Sequence, residues 1–303
     1  MILVVGASGT IGKVVVTQLL AKGEAVRAMT RDVGKTRALP GFEGASVVAG
    51  DPSDPASLPP VFAGVDKVLL IPPSGPGWNQ GEKNLIEAAR AAGVQYLVKV
   101  SAMGADPAHP SMSLSFHSQG EALLAESGIP FTVLRGNSFM QNFILFYAPS
   151  IRSEGAIYQC TGDVPTALVD TRDIADVATA LLTTGGSEAH HGKIYELTGP
   201  ESLSYSQAAE KIAAATGRPV RYIDVPPSAY QQALEGFGLP TWAAEEVVNI
   251  YGRGFYRDGH GGKVTQVVRE ILDRPARSFD EFVRDHVAYS THRDRSFRLI
   301  VTA

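Results

Sequence analysis

A glycine-rich turn near the start of the chain has the spacing that most directly indicates chemistry. Gly6, Gly9 and Gly12 follow an apolar run and open a helical pattern. Gly6 allows the tight turn, Gly9 lets the backbone approach a pyrophosphate, and Gly12 lets the helix pack closely on the strand. Such a turn can also join a strand to a helix without a ligand, but we interpret this one as phosphate-binding. The backbone N–H groups expected to face the phosphates are those of Ser8, Gly9, Thr10 and Ile11.

Residues at the ends of the next predicted strands would contact the rest of a dinucleotide. Arg31 could pair with a 2′-phosphate through charge-assisted hydrogen bonds, so we expect NADPH rather than NADH. Alternatively, Asp32 binds the ribose hydroxyls and Arg31 is a solvated surface residue. Asp51 could accept from the adenine amino group or could form a turn or helix cap. The backbone of Ile71 and Pro72 would lie along the middle of the cofactor. Alternatively, Pro72 only stiffens a loop.

The elements that must position these residues alternate along the first two hundred residues. Short apolar runs alternate with amphipathic segments, a pattern typical of βα units and a parallel sheet. Strands are predicted near residues 2–5, 25–30, 46–49, 67–71, 96–100, 131–135 and 193–198. Helices are predicted near residues 11–22, 78–92, 117–127 and 171–183, and then near 204–216, 228–237, 241–251 and 278–289.

This order of elements predicts an α/β fold, with a doubly wound parallel sheet of the Rossmann type and a smaller, mainly helical C-terminal lobe. We expect residues 1–153 and 165–199 to form the NAD(P)-binding domain. Residues 154–164 and 200–289 would form the substrate-cleft lobe, and residues 290–303 are a tail to which we assign no role.

Composition excludes several other classes of protein. A net charge of −4 and a pI near 6.0 argue against a nucleic-acid binder, which needs a basic face. Cys160 is the single cysteine, so neither an internal disulfide nor a cysteine-based zinc site is expected, and His190-His191 lacks a third ligand at metal spacing. We therefore expect no metal, no membrane segment, a cytoplasmic location and a monomer or homodimer.

Six stretches of the chain together resemble the atypical short-chain dehydrogenase/reductases of the NmrA-like group. This group includes NADPH-dependent quinone and triphenylmethane-dye reductases. The resemblance implies a Rossmann domain with a small helical lobe over the nicotinamide, and NADPH as the usual cofactor. Some members bind the dinucleotide and regulate partners instead. The stretches are residues 6–12, 30–32, 97–101, 128–135, 169–175 and 277–283.

The expected catalytic residues depart from the commonest pattern of the wider superfamily. No tyrosine is followed four positions later by lysine, so the usual phenolic acid is missing. The resemblance places a histidine near the nicotinamide, which makes His117 the first catalytic candidate, as a donor of a hydrogen bond or a proton. It could instead cap its helix or only line the cofactor. Ser101 would orient the substrate or contact the cofactor, or merely close its strand, and Asn137 and Ser138 would bind the carboxamide or the substrate.

Aromatic side chains could form an apolar wall for a flat substrate. Trp78, Phe139 and Phe143 are the principal candidates, although such stripes more often belong to a hydrophobic core. The further members considered are Met140, Phe146, Tyr147, Phe237 and Trp242.

Two functions fit these features. The first is an NADPH-dependent oxidoreductase that transfers hydride to a quinone-like, enone or other conjugated small-molecule acceptor, because such acceptors need little acid assistance. The alternative is a non-catalytic NAD(P)-sensing regulatory protein of the NmrA type, which would bind a protein partner and would need different affinities for the oxidised and reduced dinucleotide.

Overall fold

Two units make up the part of the chain that the computed structural model describes, which is residues 1–73, 75–183 and 188–291. The first unit comprises Met1–Gly136 and Arg172–Glu196. The second comprises Asn137–Thr171 and the residues from Leu197 onward.

The sheet of the first unit has seven strands, which are β1 (Ile2–Val5), β2 (Val26–Thr30), β3 (Ser46–Ala49), β4 (Lys67–Leu70), β5 (Tyr96–Ala102), β6 (Phe131–Gly136) and β8 (Lys193–Leu197). Their order across the sheet is β3-β2-β1-β4-β5-β6-β8. The strands β1 to β6 pair in parallel, and β8 runs in the same direction beside β6. The strand order reverses between β1 and β4, which is the place where ligands bind in open α/β sheets.

Helices cover this sheet because its central strands are apolar at almost every position, as strands buried on both faces are. Leu3, Leu70 and Leu97 from the sheet share one core with Leu85 and Leu124 from the helices. The helices are α1 (Thr10–Ala21), α2 (Val33–Arg37), α3 (Pro59–Phe62), α4 (Trp78–Ala91), α5 (Met112–Glu126) and α7 (Thr171–Thr183).

The second unit is mainly helical and has its own core. Phe143 lies in a π-helical turn, Phe143–Tyr147, and packs against Tyr205 and Phe279. The helices are α6 (Ala148–Glu154), α8 (Tyr205–Thr216), α9 (Pro227–Gly236), α10 (Thr241–Tyr251), α11 (Val267–Leu272) and α12 (Phe279–Thr291). A two-stranded parallel sheet, β7 (Ala156–Gln159) with β9 (Arg221–Asp224), completes it.

The predicted fold class is confirmed, but the strands β7 and β9 were not predicted. No sequence pattern indicated β9, which is short and carries a charged residue at each end. The predicted domain boundaries stay a prediction; residues 137–171 group with the second unit, where Met140, Phe143 and Leu168 join its core. Residues 292–303, which make up most of the predicted tail, lie outside the described residues. Within the described ranges, no helix is long and apolar enough to cross a membrane.

Candidate active site

The glycine turn joins β1 to α1 in a conformation that requires small residues. Gly6 has a φ of 78°, in the left-handed region, and a Cβ there would lie 2.9 Å from the Cβ of Ile71. Gly9 donates its N–H to the carbonyl oxygen of Gly6 at 3.0 Å. A Cβ on Gly12 would overlap that same carbonyl group. The three glycines therefore bring strand, turn and helix into contact that larger residues would block.

The first turn of α1 is open to an anion. Gly9 is its N-cap residue and supplies no side-chain cap, and the first turn carries no acidic side chain. Ser8, Gly9 and Thr10 are exposed. A helix start leaves backbone N–H groups without intrahelical partners and carries the positive end of the helix dipole. These residues fit the diphosphate of a dinucleotide, with the backbone of Ile11 and Gly12 completing the turn.

Three charged residues follow β2 and β3. Arg31 is exposed, whereas the carboxylates of Asp32 and Asp51 accept hydrogen bonds from nearby backbone N–H groups. Asp32 caps α2 by accepting the N–H of Lys35 at 2.9 Å. Asp51 accepts the backbone N–H of Ser53 at 2.9 Å and its hydroxyl at 2.7 Å. These hydrogen bonds lower the pKa of Asp51, and the charge of Arg31 adds to the effect. The turn interpretation of Asp51 is therefore favoured over adenine binding. The side chain of Arg31 is exposed.

The end of β4 lies beside the glycine turn. The N–H of Ile71 donates to the carbonyl oxygen of Val5 at 3.3 Å, which continues the sheet to the mouth of the glycine turn. Pro72, the next residue, is partly exposed and has no N–H to donate. Both residues lie at the carboxyl edge of the sheet, where the sequence placed them.

His117 lies on α5 against Trp78, the first residue of α4. The two rings meet edge to face with their centroids 5.0 Å apart. The Nδ1 atom of His117 is buried and has no hydrogen-bond partner among the described residues. Burial lowers the pKa of His117 well below its usual value, and the charges of Lys99 and Arg135 lower it further. The imidazole is therefore neutral at neutral pH, which supports a role as hydrogen-bond donor rather than as an imidazolium acid.

Ser101, the second catalytic candidate, is engaged in a buried network. Its hydroxyl donates to Oε1 of Glu121 at 2.6 Å, and the side chain is 3% exposed. Arg135 binds the same carboxylate through Nε at 3.0 Å and through Nη2 at 2.5 Å. Because its proton is already used, Ser101 is placed to anchor Glu121 and cannot donate freely to a substrate or cofactor.

The candidates of the second unit are held mostly by interior contacts. Asn137 donates from Nδ2 to the carbonyl oxygen of Gly261 at 2.9 Å and accepts the N–H of Ser138. The hydroxyl of Ser138 lies 3.1 Å from that of Tyr251. Phe143 is 3% exposed within the core, which favours packing over substrate contact. Phe139 is partly exposed, and its backbone bridges to Val169.

A fully buried ion pair in the first unit was not predicted from the sequence. Lys99 on β5 pairs with Glu82 on α4, and both side chains are 0% exposed. Burial raises the pKa of Glu82 and lowers that of Lys99, while the attraction between the opposite charges counteracts both shifts. The only signal available was a lysine inside the apolar run Leu97–Val100.

A doubly wound sheet with an open glycine turn at its switch point defines a dinucleotide-binding Rossmann protein. The sequence profile of the NmrA-like family matches residues 1–268, and the chain belongs to this family.

Three comparisons with known proteins support the assignment. An NAD(P)H azoreductase of Xenophilus azovorans is 37% identical over 288 residues, which cover 95% of this chain and 98% of that protein. A (4-alkanoyl-5-oxo-2,5-dihydrofuran-3-yl)methyl phosphate reductase of Streptomyces griseus is 35% identical over 289 residues, covering 94% and 98%. The structure of an NADPH-dependent quinone oxidoreductase from Escherichia coli, complexed with NADPH, has a TM-score of 0.84 and 29% identity, covering 94% and 99%.

Proposed function

We propose that this protein is an NADPH-dependent oxidoreductase that transfers hydride to a quinone-like, enone or other conjugated small molecule. The observation that carries the proposal is the pairing, within one unit, of an uncapped glycine turn with a neutral histidine against an aromatic ring. The three relatives act, by their names, on azo, dihydrofuranone and quinone acceptors, all of which are conjugated. The relatives support an NAD(P)H-dependent oxidoreductase, and the conjugated acceptor is what we propose.

The roles of the chain's own residues follow from their environments. The backbone N–H groups of the glycine turn hold the diphosphate, and the guanidinium of Arg31 binds the 2′-phosphate. Bound NADPH supplies the hydride. His117, being neutral, donates an N–H to the acceptor atom on which negative charge develops, which stabilises that charge without a full proton transfer. Conjugated acceptors delocalise the added charge, and this agrees with the missing tyrosine–lysine pair.

Steady-state oxidation of NADPH in the presence of quinones, enones and azo dyes tests the proposal. We expect turnover with at least one of these classes. We expect His117→Ala to lower kcat about a hundred- to a thousandfold, the range in which a positioned donor contributes, while the Kd for NADPH stays within about twofold. His260→Ala, at an exposed histidine of the second unit, is the control and should leave both values unchanged. Unaltered turnover in His117→Ala would remove this residue from the mechanism.

The sensing alternative is distinguished by binding rather than by rate. A sensor must bind NADPH and NADP⁺ with different affinities, since a ligand shifts a conformational equilibrium only through differential binding. Absence of turnover with every acceptor, together with a clear difference between the two affinities in calorimetry, would favour the sensor. A cytoplasmic location and a monomeric or homodimeric state stay predictions.

A further inference from the structure

A single carboxylate on α5 joins this helix to the sheet. Oε1 of Glu121 accepts the hydroxyl hydrogen of Ser101 at 2.6 Å and the Nε hydrogen of Arg135 at 3.0 Å. Oε2 accepts from Nη2 of Arg135 at 2.5 Å. The side chain of Glu121 is only 8% exposed and that of Arg135 is 22% exposed. A bidentate, charge-assisted pair and a hydroxyl therefore meet at one carboxylate that is nearly excluded from solvent.

The two side chains that bind this carboxylate come from one place in the sheet. Ser101 on β5 and Arg135 on β6 are register partners in neighbouring parallel strands. Both lie near the carboxyl ends of their strands, and side chains at paired positions point to the same face of a sheet. Glu121 is therefore held by two adjacent strands at once. This arrangement resists movement of α5 both along the strands and across them.

His117 lies one helical turn before Glu121 on α5. In an α-helix the N–H of a residue donates to the carbonyl oxygen four residues earlier, and the two side chains lie on the same face. The ring of His117 meets that of Trp78 with the centroids 5.0 Å apart and the planes at 66°. The Nδ1 atom of His117 has no hydrogen-bond partner in the described part of the chain. No hydrogen bond at Nδ1 holds the ring, so its position depends on the helical turn that carries it.

The contacts of α5 with α4 restrain this turn less firmly. The amide of Asn79 donates to Oε1 of Gln119 at 3.2 Å, and this pair is exposed to solvent. Neutral hydrogen bonds of this kind are weaker than charge-assisted ones. Trp78 contacts the rings of Phe116 and His117 edge to face, without a hydrogen bond. The carboxylate that faces the sheet is therefore the stronger polar anchor.

We propose that Glu121 is a positioning residue for His117. Its hydrogen bonds from Ser101 and Arg135 set the place of the helical turn on which the imidazole stands. They thereby set the contact of the imidazole with Trp78. This position is a property of the chain alone. Its kinetic consequence, a correctly placed N–H donor for the acceptor, rests on the proposed function.

Nuclear Overhauser contacts between the rings of His117 and Trp78, in full-length protein without cofactor, measure this position directly. We expect them in the wild-type protein, together with ring-current shifts of the imidazole protons. Glu121→Ala should lose both. Glu121→Gln keeps the size of the side chain, but its amide nitrogen cannot accept from Arg135, so we expect a smaller change in the same direction. Glu126→Ala, at an exposed glutamate on the same helix, is the matched control and should match the wild-type protein.

A kinetic double-mutant cycle separates positioning from a general loss of structure. We expect Glu121→Ala to lower kcat about ten- to a hundredfold, since a misplacement of about 1 Å can cost a hundredfold, and to leave the KM for NADPH within about twofold. In the His117→Ala background the same substitution should change kcat by less than about twofold, because residues that act as a unit are not additive. A purely structural glutamate would lower kcat equally in both backgrounds.

Two results would overturn the proposal. The first is wild-type ring contacts and shifts in folded Glu121→Ala, or in Glu121→Gln if the alanine variant does not fold. The second is an equal loss of kcat with and without His117. The resonance measurement needs no turnover. If no acceptor is reduced, the proposed function fails by itself, and the ring contacts still decide whether Glu121 positions the imidazole.

Discussion

Arg31 differs from its acidic neighbours in what its side chain already contacts. Asp32 and Asp51 both accept backbone N–H groups within their own turns, whereas the guanidinium of Arg31 extends into solvent. A carboxylate engaged in this way is poorly placed to receive ribose hydroxyls, while an exposed guanidinium can bind a phosphate through two parallel hydrogen bonds. The local structure therefore supports a preference for the phosphorylated coenzyme.

Arg31→Ala should raise the Kd for NADPH about ten- to a hundredfold, because hydrogen bonds to charged groups contribute about 1.5–3 kcal/mol and each 1.4 kcal/mol is tenfold. The Kd for NADH should stay within about twofold. Calorimetric titration with both coenzymes measures the two values. Arg37→Ala, at an exposed arginine in the last turn of α2, serves as the control. Equal losses for the two coenzymes would show that Arg31 does not contact the 2′-phosphate.

At the scale of elements, the contact between α4 and α5 depends on one position without a side chain. Glycine inside a helix costs about 1 kcal/mol relative to alanine, so Gly120 is unfavourable for α5 taken alone. Glycine is nevertheless required at this position, because the carboxylate of Glu82 occupies the space that a Cβ would fill. Tertiary packing here outweighs local helix propensity.

Gly120→Ala should lower the free energy of unfolding by about 1–3 kcal/mol, since the displaced carboxylate is buried and paired with Lys99 and cannot move into solvent. Urea denaturation followed by circular dichroism measures the change. Gly236→Ala is the contrasting case, because Gly236 ends α9 with open space around it and should tolerate the methyl group without loss of stability. If Gly120→Ala were as stable as the wild-type protein, the buried pair would be looser than its contacts indicate.

The sequence predicted elements whose signals are local and missed those that form between distant segments. The strand at Ile2–Val5 and its glycine turn were predictable because the apolar run and the spacing lie within twelve residues. In contrast, β9 forms only by pairing with β7, more than sixty residues earlier. Lys99 was visible as a lysine in an apolar strand, but nothing in the sequence identified Glu82 as its partner. The sequence also did not decide between the turn and the adenine-binding interpretations of Asp51. Its hydrogen bonds from Ser53 in the folded protein favour the turn.

For the whole molecule, the neutral histidine His117 makes stability depend on pH. The pKa of His117 is lower in the folded protein than its usual value of 6.5, so the folded state binds fewer protons than the unfolded state does. This group costs no stability above about pH 6.5, where it is neutral in both states, and it destabilises the folded protein increasingly as the pH drops below that value. The limiting slope for one proton is about 1.4 kcal/mol per pH unit.

We therefore expect His117→Gln, which cannot be protonated, to lose less stability than the wild-type protein between about pH 7 and 5. Urea unfolding at several pH values measures both proteins. The difference between them isolates the histidine, because carboxyl groups such as Glu82 and Asp51 titrate in both. Parallel curves for the two proteins would mean that the imidazole is protonated in the folded state.

The open first turn of α1 also links folding to metabolism. Because α1 has no side-chain cap, its free backbone N–H groups can bind an anion. A molecule that binds the native form but not the unfolded chain shifts the folding equilibrium toward the native form by mass action. At a concentration one hundred times its Kd, such a ligand adds about 2.7 kcal/mol to the stability. Because this helix has no capping side chain, we expect the stability of the folded protein to rise with the concentration of coenzyme in the cell.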